Sequence, residues 1–345
     1  MKLSKKLPHL PIWGEGTIPG NTGESKSDVM HVDTSLTWED VFTRYPGIWD
    51  KSTDALGDLR GNDFMVWDEE IQRGYAQETY SDVPQLIPFL AEGSDRCVIL
   101  CPGGAYLTKS MESEGKEVAE FLNRAGISAF VLWYRSYPYR APLMFLDAQR
   151  AVRYVRYHAA DYGLNSHKIA IAGFSAGGNL AGVEALCLRN APVEWPGYTP
   201  DVIDAVDGNP DALGLIYPAV AMQGDKIVAV IAGREVYEDP QKREEFAARY
   251  DLRTHVQPGD APVFLCAAAD DPVVPPPILV ELQQAYAKQG VSCELHIFPY
   301  GDHGFGACVP HPPVGPFQQA DFSAVRQWPG LFCNWIDNVL GEKKD

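Results

Sequence analysis

The chain has 345 residues, enough for one large domain and short of two full ones, and 46% of them are hydrophobic. A formal net charge of −17 at pH 7 argues against nucleic acid and an anionic membrane as partners. The seven cysteines are odd in number and include no CxxC pair, so neither a disulfide framework nor a metal site is expected. The first residues, MKLSKKLPHLPIWGEG, are basic without an apolar h-region, and no stretch reaches membrane-spanning length. With no Asn-x-Ser/Thr site either, a reduced cytoplasmic location is the expectation.

Residues 1–80 form an N-terminal arm. Its first 60 residues are rich in Gly, Pro, Asp and aromatics, without clear periodicity. Trp13, Trp38 and Trp49 argue against disorder and for packing on a domain or on a partner subunit. Strands are expected between 62 and 91, FMVW at 64–67 among them. The domain proper, 81–345, then alternates. Cys97–Cys101 (CVILC) reads as a buried strand, 112–125 as an amphipathic helix, Ser128–Tyr134 as a strand and 144–162 as a long helix. Leu213–Tyr217, Pro262–Ala268 and Cys293–Phe298 are further strands, and 276–289 and 319–340 further helices. Residues 219–260 interrupt this rhythm as a cap-like insertion. Alternation of this kind predicts an α/β fold with a mostly parallel central sheet and helices on both faces.

The centre of the pattern is KIAIAGFSAGGNL at 168–180. A strand runs into Gly173-Phe174-Ser175-Ala176-Gly177 and a helix follows. That context gives GxSxG a mechanism, since a sharp turn aims the serine hydroxyl off the end of the sheet. A helix beginning under Ser175 adds partial positive charge where an oxyanion would form. The pentapeptide alone is equally a Gly-rich turn, so the ends of the other strands decide.

After CVILC come Pro102-Gly103-Gly104-Ala105-Tyr106, whose glycines can present backbone amides to an oxyanion. After the strand ending at Ala268 come Asp270-Asp271-Pro272. An acid there can orient a histidine, or simply cap the next helix; Asp271 is preferred to its neighbour Asp270. After Phe298 comes the Gly-rich loop holding His303, preferred as general base to His311 in VPHPPVGP. Serine, acid and histidine then follow in the order Ser175, Asp271, His303, all at strand ends. Trp133, Tyr134 and Tyr217, also at strand ends, are read equally as pocket lining or as core.

The segments CPGGAY (101–106), EGKEVAEFLNRAG (114–126), DAQRAVRYVR (147–156), KIAIAGFSAGGNLA (168–181), DDPVVPP (270–276) and ELHIFPYGDHGFG (294–306) resemble the acetyl esterase/acetylxylan esterase branch of the α/β-hydrolase superfamily. The resemblance runs from about 80 to 340. It implies a cofactor-free serine esterase that removes short acyl groups from sugars or small alcohols. Ser175 would be nucleophile, His303 base and Asp271 its orienter; amides of Ala176, Gly103 and Gly104 would form the oxyanion hole, and Tyr106 would line the pocket. The family's third loop glycine is here Ala105, and its opening His is Pro102. An amidase of the same fold would need a large extra domain, and a catalytically inactive receptor would be expected to lack a member of the triad. The expected partner is a small-molecule or oligosaccharide ester; a homo-oligomer is left open.

Overall fold

The computed structural model describes residues 9–14, 18–21, 83–106, 109–137, 139–222, 227–310 and 321–341. Most of the N-terminal arm lies outside these, with the expected FMVW strand, Trp38, Trp49 and the alternative base His311.

The described residues build an eight-stranded sheet. Its strands are β1 (Leu10–Pro11), β2 (Gln85–Phe89), β3 (Cys97–Cys101), β4 (Ser128–Trp133), β5 (Ile169–Phe174), β6 (Ala212–Ile216), β7 (Val263–Ala268) and β8 (Cys293–Phe298). The spatial order is β1-β2-β4-β3-β5-β6-β7-β8. Only the first two pairings, β1 with β2 and β2 with β4, are antiparallel. The others are parallel, so β3 and β5 to β8 all deliver their carboxyl ends to one edge of the sheet.

The unbroken apolar strands follow from cover on both faces. On β3, Val98 and Leu100 enter one core while Cys97, Ile99 and Cys101 enter the other. The first core is closed by α1 (Glu117–Arg124) and α9 (Trp328–Leu340), through Val118, Leu122, Phe332 and Ile336. The second is closed by α2 (Leu143–Tyr157), α3 (Ala176–Gly182) and α8 (Pro277–Gln289), through Val152, Val155, Leu180 and Leu282. The helix expected over 112–125 has two parts: a wide π-helical turn, Met111–Lys116, precedes α1.

Between β6 and β7 the insertion holds α4 (Ile227–Ala232), α5 (Arg234–Glu238), α6 (Pro240–Arg249) and α7 (Leu252–His255). Asp239 caps α6 by accepting the amides of Gln241 and Lys242, with Pro240 opening the helix. Helix α6 has no fully buried residue and only rests Phe246 against the core, whereas the apolar α4 sends Val228, Val230 and Ile231 into it. The Ala141 amide, in the loop after β4, donates to the Ile231 carbonyl at 2.7 Å.

The described part of the N-terminal arm is tied to the domain. Leu10 and Pro11 pair with Leu86 and Gln85, extending the sheet beyond β2. Trp13 is buried, and its indole N–H donates to Asp147 Oδ1 at 2.9 Å. Asp147 also grips Arg135 through two bonds, 2.9 Å from Nε and 2.6 Å from Nη2, and Arg135 donates onward to the Pro19 carbonyl. Arg150 Nε donates to the Ile12 carbonyl at 2.7 Å.

Candidate active site

At the end of β5 the backbone turns hard. Ser175 adopts φ +51° and ψ −118°, a conformation that a side chain disfavours and that persists only where its surroundings dictate it. Those surroundings are backbone: the Ser175 amide donates to Ile216 O at 3.1 Å, and the Ser175 carbonyl accepts the amides of Asn179 and Ala219. The two glycines of the motif are steric requirements. A Cβ at Gly173 would lie 2.0 Å from Gly177 O, and one at Gly177 would lie 2.0 Å from Cys101 O. Ala176 then opens α3 immediately beneath the serine, putting unpaired first-turn amides on that side of it.

The structure brings Ser175, His303 and Asp271 together. His303 Nε2 lies 2.9 Å from Ser175 Oγ, and His303 Nδ1 lies 2.7 Å from Asp271 Oδ2. The other Asp271 oxygen accepts the amides of Val273 and Val274, both at 2.8 Å. The choice between the two aspartates resolves sharply. Asp270 is exposed and binds a backbone amide of the histidine loop, that of Asp302 at 2.9 Å, while the buried Asp271 binds the ring.

Two expected positions, Gly103 and Tyr106, come out differently, and of the two readings open for Tyr217 the structure takes the core. The Gly103 amide, read as an oxyanion donor, is already donated to Glu114 Oε2 at 2.5 Å. Gly104 follows it in the loop at φ +133°, and Ala105 and Tyr106 both have positive φ. Tyr106, read as pocket lining, is fully buried and donates its hydroxyl to Asn179 Oδ1 at 2.7 Å. It holds the loop to α3 from behind. Tyr217 is buried as well: its hydroxyl donates to Glu114 Oε1 at 2.8 Å and its ring packs edge-on against His303, 5.0 Å between centroids. Tyr134 is likewise core, donating to Pro102 O at 2.7 Å.

Glu114 is the residue that sequence reasoning missed. It is 4% exposed on the π-helical turn, and burial pushes its carboxyl above the ordinary range. The Gly103 amide, the Tyr217 hydroxyl and the charge of His303 pull the other way. On a regular helix Glu114 shares its stripe with Val118, Phe121 and Ala125, so helical spacing already turns it inward. A second signal is Gly115, whose Cβ would stand 2.9 Å from Val131 Cγ1, so the turn must lie directly on β4.

Comparison with known proteins gives this geometry a lineage. The BD-FAE family model matches residues 86–286, more than half of the chain. The chain belongs to the BD-FAE family, within the acetylxylan esterase-like branch of the α/β-hydrolases. It is 30% identical over 228 residues to an acetylxylan esterase of Xylanibacter ruminicola, a span of 64% of this chain and 44% of that protein. It is also 27% identical over 251 residues to endo-1,4-beta-xylanase B of Butyrivibrio fibrisolvens, 69% of this chain and 37% of that one. The chain thus spans less than half the length of these curated relatives. Among solved structures it is similar to an acetyl ester-xyloside bifunctional hydrolase from Caldicellulosiruptor lactoaceticus. There the TM-score is 0.67 and the identity 26%, over 98% of this chain and 99% of that one.

Proposed function

We propose that the protein is a serine carboxylic ester hydrolase acting on short-chain, acetyl-type esters of sugars or other small alcohols. The observation that carries the reading is the unbroken chain Ser175 Oγ, His303, Asp271, with 2.9 and 2.7 Å links at the ends of three parallel strands. The substrate class draws its support from the names of the relatives, an acetylxylan esterase and an acetyl ester-xyloside hydrolase.

In the first half-reaction His303 Nε2 takes the proton of Ser175 Oγ as that oxygen attacks the ester carbonyl. Asp271 holds the ring with Nδ1–H toward itself and balances the imidazolium that forms. The tetrahedral oxyanion is met by the Ala176 amide, at the positive end of the helix, and by the loop at Gly104. Its collapse breaks the bond to the alcohol, which leaves with the proton from His303. In the second half-reaction water attacks the acyl carbonyl and gives its proton to His303. Ser175 is then released with that proton, and the carboxylic acid departs.

The test is hydrolysis of p-nitrophenyl acetate, butyrate and octanoate by wild type and Ser175→Ala. The expected result is activity that falls with acyl length and disappears in the variant. A wild type inert on all three esters, or an equally active variant, overturns the proposal and brings forward an amidase or a receptor.

A further inference from the structure

Glu114 is costly where it stands. A carboxylate taken out of water must be compensated in full, and an apolar residue of similar size would often serve stability as well. What this carboxylate does instead is join three segments far apart in sequence. Oε2 accepts the amide of Gly103 in the loop after β3, at 2.5 Å. Oε1 accepts the hydroxyl of Tyr217, the residue just after β6 at φ +38°, at 2.8 Å. The Tyr217 oxygen in turn accepts the amide of Gly306, three residues past His303, at 2.9 Å. The same turn of helix grips the histidine loop a second time, since Ser113 O accepts the Ala307 amide at 3.0 Å.

The geometry is tight on every side. A Cβ on Gly306 would come within 2.6 Å of Ser113 O, and one on Gly103 would be 2.9 Å from both Glu114 Oε2 and Ser175 Cβ. On the far side Trp328 Nε1 donates to Gly306 O at 2.9 Å, so both polar groups of Gly306 are held. The ring of Tyr217 also packs on the histidine loop itself, 5.0 Å from His303 and 4.4 Å from Phe305 between centroids.

We infer that Glu114 is a positioning residue of the hydrolytic site. Through Gly103 it sets the loop that offers Gly104 to the oxyanion, and through Tyr217 and Gly306 it sets the loop that carries His303. The inference rests on the reading of Ser175 and His303 as nucleophile and base. The carboxylate is suited to this because it accepts twice and donates nothing. A glutamine of the same shape has one accepting oxygen and would turn an N–H₂ toward one of the two donors.

The experiment compares Glu114→Gln, Tyr217→Phe and the double variant on p-nitrophenyl acetate, with thermal unfolding of each and Ser175→Ala alongside. We expect Glu114→Gln to lower kcat by ~10–100-fold with KM nearly unchanged, because loops displaced by a fraction of an ångström misplace groups that act only in the transition state. Tyr217→Phe should lose less. The double variant should be no slower than Glu114→Gln, because the two substitutions cut the same chain. The unfolding midpoints should not follow the order of the kcat losses. If Glu114→Gln fails to fold, Tyr217→Phe carries the test through its kcat loss at constant KM.

The inference is overturned if kcat is unchanged in the variant tested, if KM alone moves, or if the two losses multiply in the double variant. Ser175→Ala separates this from the parent reading. An inactive Ser175→Ala beside fully active Glu114 and Tyr217 variants removes only the positioning role, whereas an active Ser175→Ala removes both.

Discussion

Buried acids in two regions of the molecule are treated differently. At the carboxyl edge Asp271 and Glu114 have every oxygen engaged, by backbone amides, a tyrosine hydroxyl or the histidine ring. Beneath α2, Glu184 on the π-helical turn Val183–Leu188 is equally buried, yet neither of its oxygens has a hydrogen-bonding partner in the protein. Burial pushes its carboxyl well above the ordinary range, and nearby Arg156 and Arg153 offset this only in part. The contrast teaches which acids fix geometry. A carboxylate locked by two or more donors cannot drift: Asp271 and Glu114 hold the histidine loop in this way, as Asp147 holds Arg135 and Trp13.

The largest effect should come from breaking the engaged side at its centre. Ser175→Ala should lower kcat/KM for p-nitrophenyl acetate by roughly 10⁴–10⁶-fold with an unaltered unfolding midpoint. Asp271→Asn should cost roughly 10³–10⁴-fold, because the amide cannot hold the Nδ1–H tautomer and stabilise its charge. Asp270→Asn, which touches only the loop backbone, should cost less than about 10-fold. Equal losses in the two aspartate variants would show that the loop, and not the ring, is what these acids serve.

Stability rather than rate should respond next. Trp13→Ala removes a buried ring and leaves Asp147 Oδ1 without its indole donor. A loss of about 3 kcal/mol in urea unfolding is expected, with kcat of the folded fraction little changed. A variant as stable as wild type would mean that the segment only rests on the domain.

The smallest effect sharpens the contrast through pH. Glu184 has a folded-state pKa above its unfolded value. Its contribution is therefore fully present below about pH 4.3, the ordinary glutamate value, and is lost as pH rises toward the folded pKa. Glu114, raised in the same direction, adds to that slope. Glu184→Gln should flatten the fall in unfolding free energy above pH 4.3 and stabilise the protein at neutral pH. An unchanged slope would place the titration elsewhere.

The sheet and the edge that carries the candidate site were legible because strand ends carry strong local signals. Gly173 and Gly177 have no steric alternative, and Asp271 and His303 lie within five residues of the ends of apolar runs. What could not be read depended on contacts between distant segments. Tyr106 stands where a pocket residue should, and only the position of Asn179 turns it inward. Helical spacing puts Glu114 on the stripe of Val118, Phe121 and Ala125, but its partners, the Gly103 amide and the Tyr217 hydroxyl, come from segments that no local pattern brings near. Strand β1 has two residues, too few for any periodicity, and is defined entirely by its pairing with β2.

That short strand has a bearing on handling the molecule. Leu10 and Pro11 cover the outer row of hydrogen-bonding groups on β2, and the residues that follow satisfy Arg150 and Asp147 in the interior. The stretch that defines the family begins at residue 86, inside β2 itself. A chain trimmed to that boundary would keep Ser175, His303 and Asp271 but expose a raw sheet margin beside two under-coordinated charges. Such a margin invites a second molecule to add its own strand. Self-association and precipitation are the expected fate of the shortened protein.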